Sequence, residues 1–293
     1  VPRVNANGIE LEYETFGDPA ARPLVLVTGL AAQMISWDEP FCELLASRGF
    51  HVIRFDNRDC GLSTRMESAG PADLAAAYQG DPHPAYGLDD MAADVAGLLD
   101  ALGIEAAHIA GASMGGFIAQ LVALNHAGRV LSLTSIMSGP GGVDEVAPKP
   151  EGAALLVAPP PPTREERIAQ SMSTHRVLAG ARDQLDDEAE RARAVRSVDR
   201  AYYPAGAGRQ LVAILAAGSR LERLRHLSVP TLVVHGTDDV LVPVENGRLI
   251  AAAVPGARLV EIEGMGHDLP MRAWPQVVDA VDEIARQAEP SRR

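Results

Sequence analysis

Apolar and polar residues alternate along the first half of this chain in a repeating rhythm. Ile9 to Phe16 switches between apolar and charged positions, a period of two that predicts an antiparallel edge strand. Pro23 to Gly29 is an apolar, β-branched run ending in glycine, which fits a buried strand. His51 to Asp56, Ala106 to Gly111 and Val130 to Met137 read as further strands. Between them lie helical patterns. Trp37 to Arg48 is short and amphipathic, and Gly116 to Asn125 is apolar. In Leu88 to Leu102 the apolar positions 88, 91, 95, 98, 99 and 102 share one helical face, and Gly103 supplies a stop. Strand, loop, helix, strand, repeated, predicts a mostly parallel α/β sheet with helices on both faces.

The rhythm breaks at Gly139-Pro140-Gly141-Gly142. A proline-rich stretch follows, with Pro148, Pro150 and the run Pro159 to Pro162. Charged helical segments come next, Arg164 to His175 and Asp186 to Arg200, and then Tyr202-Tyr203-Pro204. The alternation resumes with a strand at Val229 to Gly236, a helix at Val244 to Ala253, a strand at Arg258 to Ile262 and a helix at Trp274 to Arg286. These shifts divide the chain into a core segment over 1–140, a helical cap over 141–218 and a second core segment over 219–293. No repeat at a solenoid period is present.

Composition narrows the function classes. With 26 basic and 39 acidic residues the formal net charge is −13, which disfavours nucleic acid and anionic membranes as partners. Aromatic residues make up only 4%, so aliphatic side chains must dominate the core. Cys42 and Cys60 show no pairing or metal-ligand pattern and are expected as free core thiols. No apolar run reaches the roughly 18 residues of a membrane span. Val1 to Asn5 lacks a signal-peptide pattern, and the expected compartment is the cytoplasm.

Ser113 carries the chemical signal. It lies in Gly111-Ala112-Ser113-Met114-Gly115, between a predicted strand and a predicted helix. A serine hydroxyl is a poor nucleophile and needs a protruding position and a neighbouring base. Of eight histidines, His267 follows the last predicted strand on the glycine-rich loop Glu263-Gly264-Met265-Gly266, at the sheet edge where open α/β folds keep their sites. The others read as packing or loop residues, and His83, His175 and His226 have no orienting neighbour in sequence. Between Ser113 and His267, the segment Asp238-Asp239 ends a strand and offers two carboxylates, which spacing alone does not separate.

These residues resemble the α/β-hydrolase superfamily, in the subgroup with a helical cap. The resemblance implies the α/β-hydrolase fold and a triad of Ser113, Asp239 and His267, since the family pattern His-Gly-x-x-Asp-x-x-Val-Pro falls on 235–243. Asp238 is then a surface loop residue. It also implies an oxyanion hole from the N–H groups of Met114 and Leu30. The chain has Thr28 where many members have histidine. Asp56 to Ser63 is similar to the family loop Asp-x-Arg-Gly-x-Gly-x-Ser, with Asp59 in place of the first glycine and an expected structural role. Asp-Asn-Arg-Asp-Cys-Gly-Leu-Ser, Gly-Ala-Ser-Met-Gly-Gly and Gly-Met-Gly-His-Asp-Leu-Pro look most like the aclacinomycin methylesterase branch, which removes a methyl ester from an anthracycline polyketide.

The resemblance implies a carboxylic ester hydrolase working through an acyl-enzyme, with a small-molecule ester as substrate and no cofactor or metal. A monomer or homodimer is expected. Gly29, Tyr202, Tyr203, Leu211 and Ile214 are candidate substrate contacts. Because the base must be neutral, activity is expected to fall below about pH 6 to 7. Perhydrolases (cofactor-free haloperoxidases), enol-lactonases and carbon–carbon bond hydrolases share such a triad, and a ligand receptor on this scaffold is the non-enzymatic alternative. No phosphate loop, dinucleotide fingerprint or zinc motif is present.

Overall fold

The computed structural model describes residues 2–183 and 185–288. Its centre is an eight-stranded sheet of order β1-β2-β4-β3-β5-β6-β7-β8. The strands are β1 (Arg3–Ala6), β2 (Ile9–Phe16), β3 (Arg22–Val27), β4 (Phe50–Phe55), β5 (Ala107–Ala112), β6 (Val130–Ile136), β7 (Thr231–Gly236) and β8 (Arg258–Ile262). β1 and β2 are antiparallel to their neighbours, and every pairing from β4 through β8 is parallel.

Successive side chains on the central strands pack against opposite layers. Leu24, Leu26 and Val52 face a cluster with Phe41 and Leu45 of α1 (Glu39–Ser47). Val277, Val281 and Ile284, on the last described helix, complete that cluster. Val25, Val27, Ile53 and Phe55 face the other layer, shared with α3 (Leu88–Ala101) and α4 (Met114–Asn125). A short helix, α2 (Leu74–Tyr78), precedes α3. Both cysteines are free and buried, as expected.

The expectation of Ile9 to Phe16 as an edge strand is corrected. β1 pairs outside β2 and takes the edge. β1 escapes a sequence reading because it has four residues and a single buried side chain, Ala6. Close backbone contact seats it: a Cβ on Gly97 of α3 would come within 2.7 Å of the Asn7 nitrogen.

Between β6 and β7 the chain forms α5 (Pro150–Leu156), α6 (Arg164–Leu178), α7 (Asp187–Arg200), α8 (Pro204–Ala216) and α9 (Leu221–Leu224). Beyond β7 lie α10 (Val244–Ala253) and α11 (Trp274–Ala288). Helix α6 opens with a capping box at Thr163 and Glu166, and Asp186 caps α7. The sequence reading placed no helix at α8, which opens on Pro204-Ala205-Gly206-Ala207-Gly208. Its stability comes from burial of Leu211, Val212 and Ala213.

Buried polar contacts moor these helices to the core. Arg209 of α8 holds both carboxylate oxygens of Asp59, at 2.7 and 2.8 Å. Burial alone would push the Asp59 carboxyl up, but Arg209, the Met66 N–H and the Tyr86 hydroxyl more than offset it and hold it below the usual range. Asp59 has a φ of +63°, the left-handed region that favours glycine, and its side chain makes the clamp. Gln210 donates to the Arg58 carbonyl at 2.8 Å and accepts from the Ala31 N–H at 2.9 Å. Arg200, closing α7, pairs with the buried Asp56 at 2.8 Å.

Removing one partner of a buried pair strands the other charge. Arg209→Met is therefore expected to cost about 3–5 kcal/mol of stability. Urea unfolding monitored by circular dichroism measures it, and a loss below about 1 kcal/mol would contradict a buried clamp.

Candidate active site

Parallel strands bring several loops to one edge of the sheet. Leu30 follows β3, Ser113 follows β5, Asp239 follows β7 and His267 follows β8, all at C-terminal strand ends. Ser113 sits at φ 56° and ψ −122°, a conformation costing about 1–3 kcal/mol for a non-glycine residue. The turn is fixed by the Ser113 N–H donating to the Ile136 carbonyl at 2.9 Å and by the Ser138 hydroxyl donating to the Ser113 carbonyl at 2.9 Å.

The flanking glycines are there because backbones touch. A Cβ on Gly111 would lie 2.0 Å from the Gly115 carbonyl oxygen, and one on Gly115 would lie 2.2 Å from that of Val27. The turn therefore presses directly on the loop after β3. Gly29 lies against Ser113, where a Cβ would meet the serine Cβ at 3.2 Å. Asn57 braces the same loop through the carbonyl and hydroxyl of Thr28, at 3.0 and 3.1 Å. Among the described residues, the N–H groups of Leu30 and Met114 donate to no protein acceptor.

Asp239 is 1% exposed, yet its carboxylate is well supplied with donors. Oδ1 accepts from the Leu241 and Val242 N–H groups at 2.9 and 2.8 Å. Oδ2 lies 2.7 Å from His267 Nδ1. A second imidazole, His235, puts Nε2 3.4 Å from the same oxygen and 2.7 Å from the Val242 carbonyl. Burial opposes the charge of Asp239, but the two histidines and the Val242 N–H more than offset it, and its carboxyl is held well below the usual range. Asp239, not Asp238, thus meets His267. No hydrogen bond joins the Ser113 hydroxyl to His267 among the described residues; such contacts in unliganded sites are often long.

The glycine-rich loop before His267 is shaped by the segment after α6. The His267 N–H donates to the Leu178 carbonyl at 2.7 Å. A Cβ on Gly266 would lie 2.0 Å from that carbonyl oxygen, and one on Gly180 would lie 1.9 Å from the Gly264 oxygen. Asp238 joins this contact by accepting from the Ala181 N–H at 3.2 Å, so it is a bridge between segments and not a simple surface residue.

Ser113, Leu30 and Met114 line a cavity of about 250 Å³. Phe117, Leu156, Leu211, Ile214, Leu215 and Val242 make most of its apolar wall. Leu211 and Ile214 are part of this lining. Tyr202 and Tyr203 are not. Tyr202 lies under the Arg167 guanidinium at 4.1 Å, and the Tyr203 hydroxyl accepts from Arg209 at 2.8 Å. Both rings serve cation–π packing, Tyr202 within the insert and Tyr203 also under the Arg65 guanidinium at 4.6 Å. Gly29 and His267 are also outside this lining. Half-buried Glu145 and buried Arg220 reach the cavity and carried no sequence signal, because the loops that bring them in follow no period.

His175 is a further correction. Its Nδ1 lies 2.5 Å from Glu190 Oε2, and Arg193 donates to its Nε2 at 3.1 Å. These neighbours come from α7 and are invisible to local sequence.

Residues 22–272 match the alpha/beta hydrolase fold family. The chain belongs to that family, and it is a hydrolase. It is 32% identical to rhodomycin D methylesterase DauP of Streptomyces sp. strain C5, over 97% of this chain and 98% of the relative. It is 32% identical to rhodomycin D methylesterase DnrP of Streptomyces peucetius, over 96% of each. Among solved structures, a meta-cleavage product hydrolase from Pseudomonas fluorescens IP01 superposes with a TM-score of 0.78 at 21% identity, covering 99% of this chain and 98% of that one. The enol-lactonase of Burkholderia xenovorans LB400 gives 0.75 at 25% identity, covering 97% and 100%. Among the described residues, no helix is long and apolar enough to cross a membrane.

Asp268, beside His267, gives a pH prediction. Burial, and then Asp183, push its carboxyl up to about 7. The folded state thus holds this proton more tightly than the unfolded chain, and stability falls as pH rises from about 4 to about 7. Asp268→Asn removes that loss, which is on the order of 4 kcal/mol above pH 7. Denaturant unfolding at pH 5 and pH 8 should show the variant gaining on the wild type as pH rises, whereas an equal difference at both values contradicts the shift.

Proposed function

We propose that this protein is a carboxylic ester hydrolase with Ser113 as nucleophile, His267 as general base and Asp239 as the group that orients His267. The observation that carries this reading is one strained serine at the mouth of an apolar cavity, beside two unpaired N–H groups, with a buried Asp–His pair at the same sheet edge. His267 takes the Ser113 proton as the oxygen adds to the ester carbonyl. The oxyanion accepts hydrogen bonds from Leu30 and Met114, each worth about 3 kcal/mol in such sites. The alkoxide leaves with the proton from His267. Water, deprotonated by His267, then releases the acid from Ser113. Asp239 keeps the Nδ1–H tautomer and stabilises the imidazolium that forms.

The two methylesterase relatives support a methyl ester on a bulky acyl group as substrate. The apolar wall of Phe117, Leu211 and Ile214 supports an apolar substituent next to the carbonyl. The cap over 141–218, which holds α5 to α8, then decides which acyl group enters.

Ser113→Ala should abolish ester hydrolysis while leaving the circular dichroism spectrum unchanged. Asp239→Asn presents the wrong tautomer to Ser113 and should lower kcat by about 10⁴. A series of methyl esters, lactones and vinylogous diketones, with products identified by mass spectrometry, tests the reaction class. Full activity in Ser113→Ala, or turnover of only the diketones, would refute the esterase reading.

A further inference from the structure

Leu30 stands in a tight turn. The Ala32 N–H donates to the Gly29 carbonyl at 3.2 Å, which closes a four-residue β-turn over Gly29-Leu30-Ala31-Ala32. Ala31 has a φ of +56°, whereas Leu30 is not among the residues with positive φ. A positive φ at the third residue alone marks a type II turn, and that position favours glycine. An alanine there would settle more easily in a type I turn, in which the peptide between the second and third residues is turned over.

A contact from outside the turn holds Ala31 where it is. Gln210 Oε1 accepts from the Ala31 N–H at 2.9 Å, on the same peptide that a type I turn would reverse. Its Nε2 donates to the Arg58 carbonyl at 2.8 Å, so both ends of the amide are engaged. Gln210 is fully buried and belongs to α8. The flanks of the turn are tied as well. Asn57 donates to the Thr28 carbonyl, and the Met34 N–H donates to Asp56 at 2.7 Å. Gln33 donates to the carbonyls of Ser197 and Ala201 at 2.8 and 3.0 Å and accepts from Arg200 at 2.7 Å. The peptide joining Gly29 to Leu30 hangs between two fixed neighbours: the Thr28 carbonyl on one side and the Ala31 N–H on the other. That peptide carries the Leu30 N–H, which has no acceptor among the described residues.

We propose that Gln210 is a positioning residue for the oxyanion hole: it holds the Gly29 to Ala32 turn in its type II form and so aims the Leu30 N–H. This rests on the reading of Leu30 as an oxyanion donor and adds a second role for the insert. Through Gln210, α8 governs the rate of the reaction as well as the choice of substrate. A donor that swings off its line loses its hold on the oxyanion while the ground-state ester binds as before.

The test uses the full chain and a methyl ester substrate. Gln210→Met keeps the side-chain length and removes both hydrogen bonds. It should lower kcat by about tenfold to hundredfold, less than outright loss of an oxyanion donor, and leave KM within about twofold. A trifluoromethyl ketone, whose adduct with Ser113 bears an oxyanion, should bind more weakly by the same factor as kcat falls. Gln210→Glu keeps the acceptor for the Ala31 N–H and should retain most of the rate. Adding Ala31→Gly to Gln210→Met removes the steric objection to the type II turn and should recover several-fold of the lost kcat. Gln210→Asn, whose amide falls short of Ala31, gives the same reading should Gln210→Met not fold. An unchanged kcat in these variants, or a loss that Ala31→Gly leaves in full, overturns the proposal. If the wild type hydrolyses no ester, the esterase reading fails by itself, and amide signals followed by NMR decide the turn separately. Faster hydrogen exchange at Ala31 with a shifted Leu30 resonance in Gln210→Met supports the positioning role, and unchanged signals overturn it.

Discussion

A carboxylate removed from water must be surrounded by donors or give up its charge, and that constraint on Asp239 organises this molecule. Two backbone N–H groups of the loop after β7 and the His267 imidazole meet its oxygens within 2.9 Å. That coordination curls the loop, and the curl places His235 so that it fastens the Val242 carbonyl and faces Asp239 at once. Loss of any one donor would leave a buried charge uncompensated, at a cost of several kcal/mol. The chemistry proposed for His267 is thus supported by an electrostatic arrangement that also holds the sheet edge together.

The second organising element is contact between backbones with no side chain between them. Gly111 and Gly115 let strand, turn and helix close on the loop after β3. Gly180 and Gly266 do the same where the segment after α6 crosses the His267 loop. Glycine at these points is a requirement of volume more than of flexibility. The site is assembled from loops, but each loop is pinned by a neighbour's main chain, which is how a mobile class of structure achieves a defined geometry.

Legibility in the sequence followed how local each signal was. The central strands could be read because burial on both faces makes them continuous apolar runs, and Ser113 because its turn needs glycines at fixed spacing. The Asp239 and His267 loops could be read because each directly follows such a strand. β1 could not, since four residues with one buried side chain make no period. α8 could not, since its glycines and proline contradict a helix that exists through packing. That Tyr202 and Tyr203 lie outside the cavity lining could not be read, because nothing in their neighbourhood shows that Arg167 and Arg209 will cover them. His175 was passed over for the same reason: its partners arrive from another helix.

The Leu178 carbonyl, which accepts the His267 N–H, has a mechanical consequence. It makes the end of α6 and the start of the His267 loop one continuous strut. α6 belongs to the helices between β6 and β7, so a displacement of that helix is carried along the strut to the loop that holds the imidazole. The orientation of His267 thus depends on the packing of a helix outside the sheet, and a substitution that loosens α6 reaches the site without touching it.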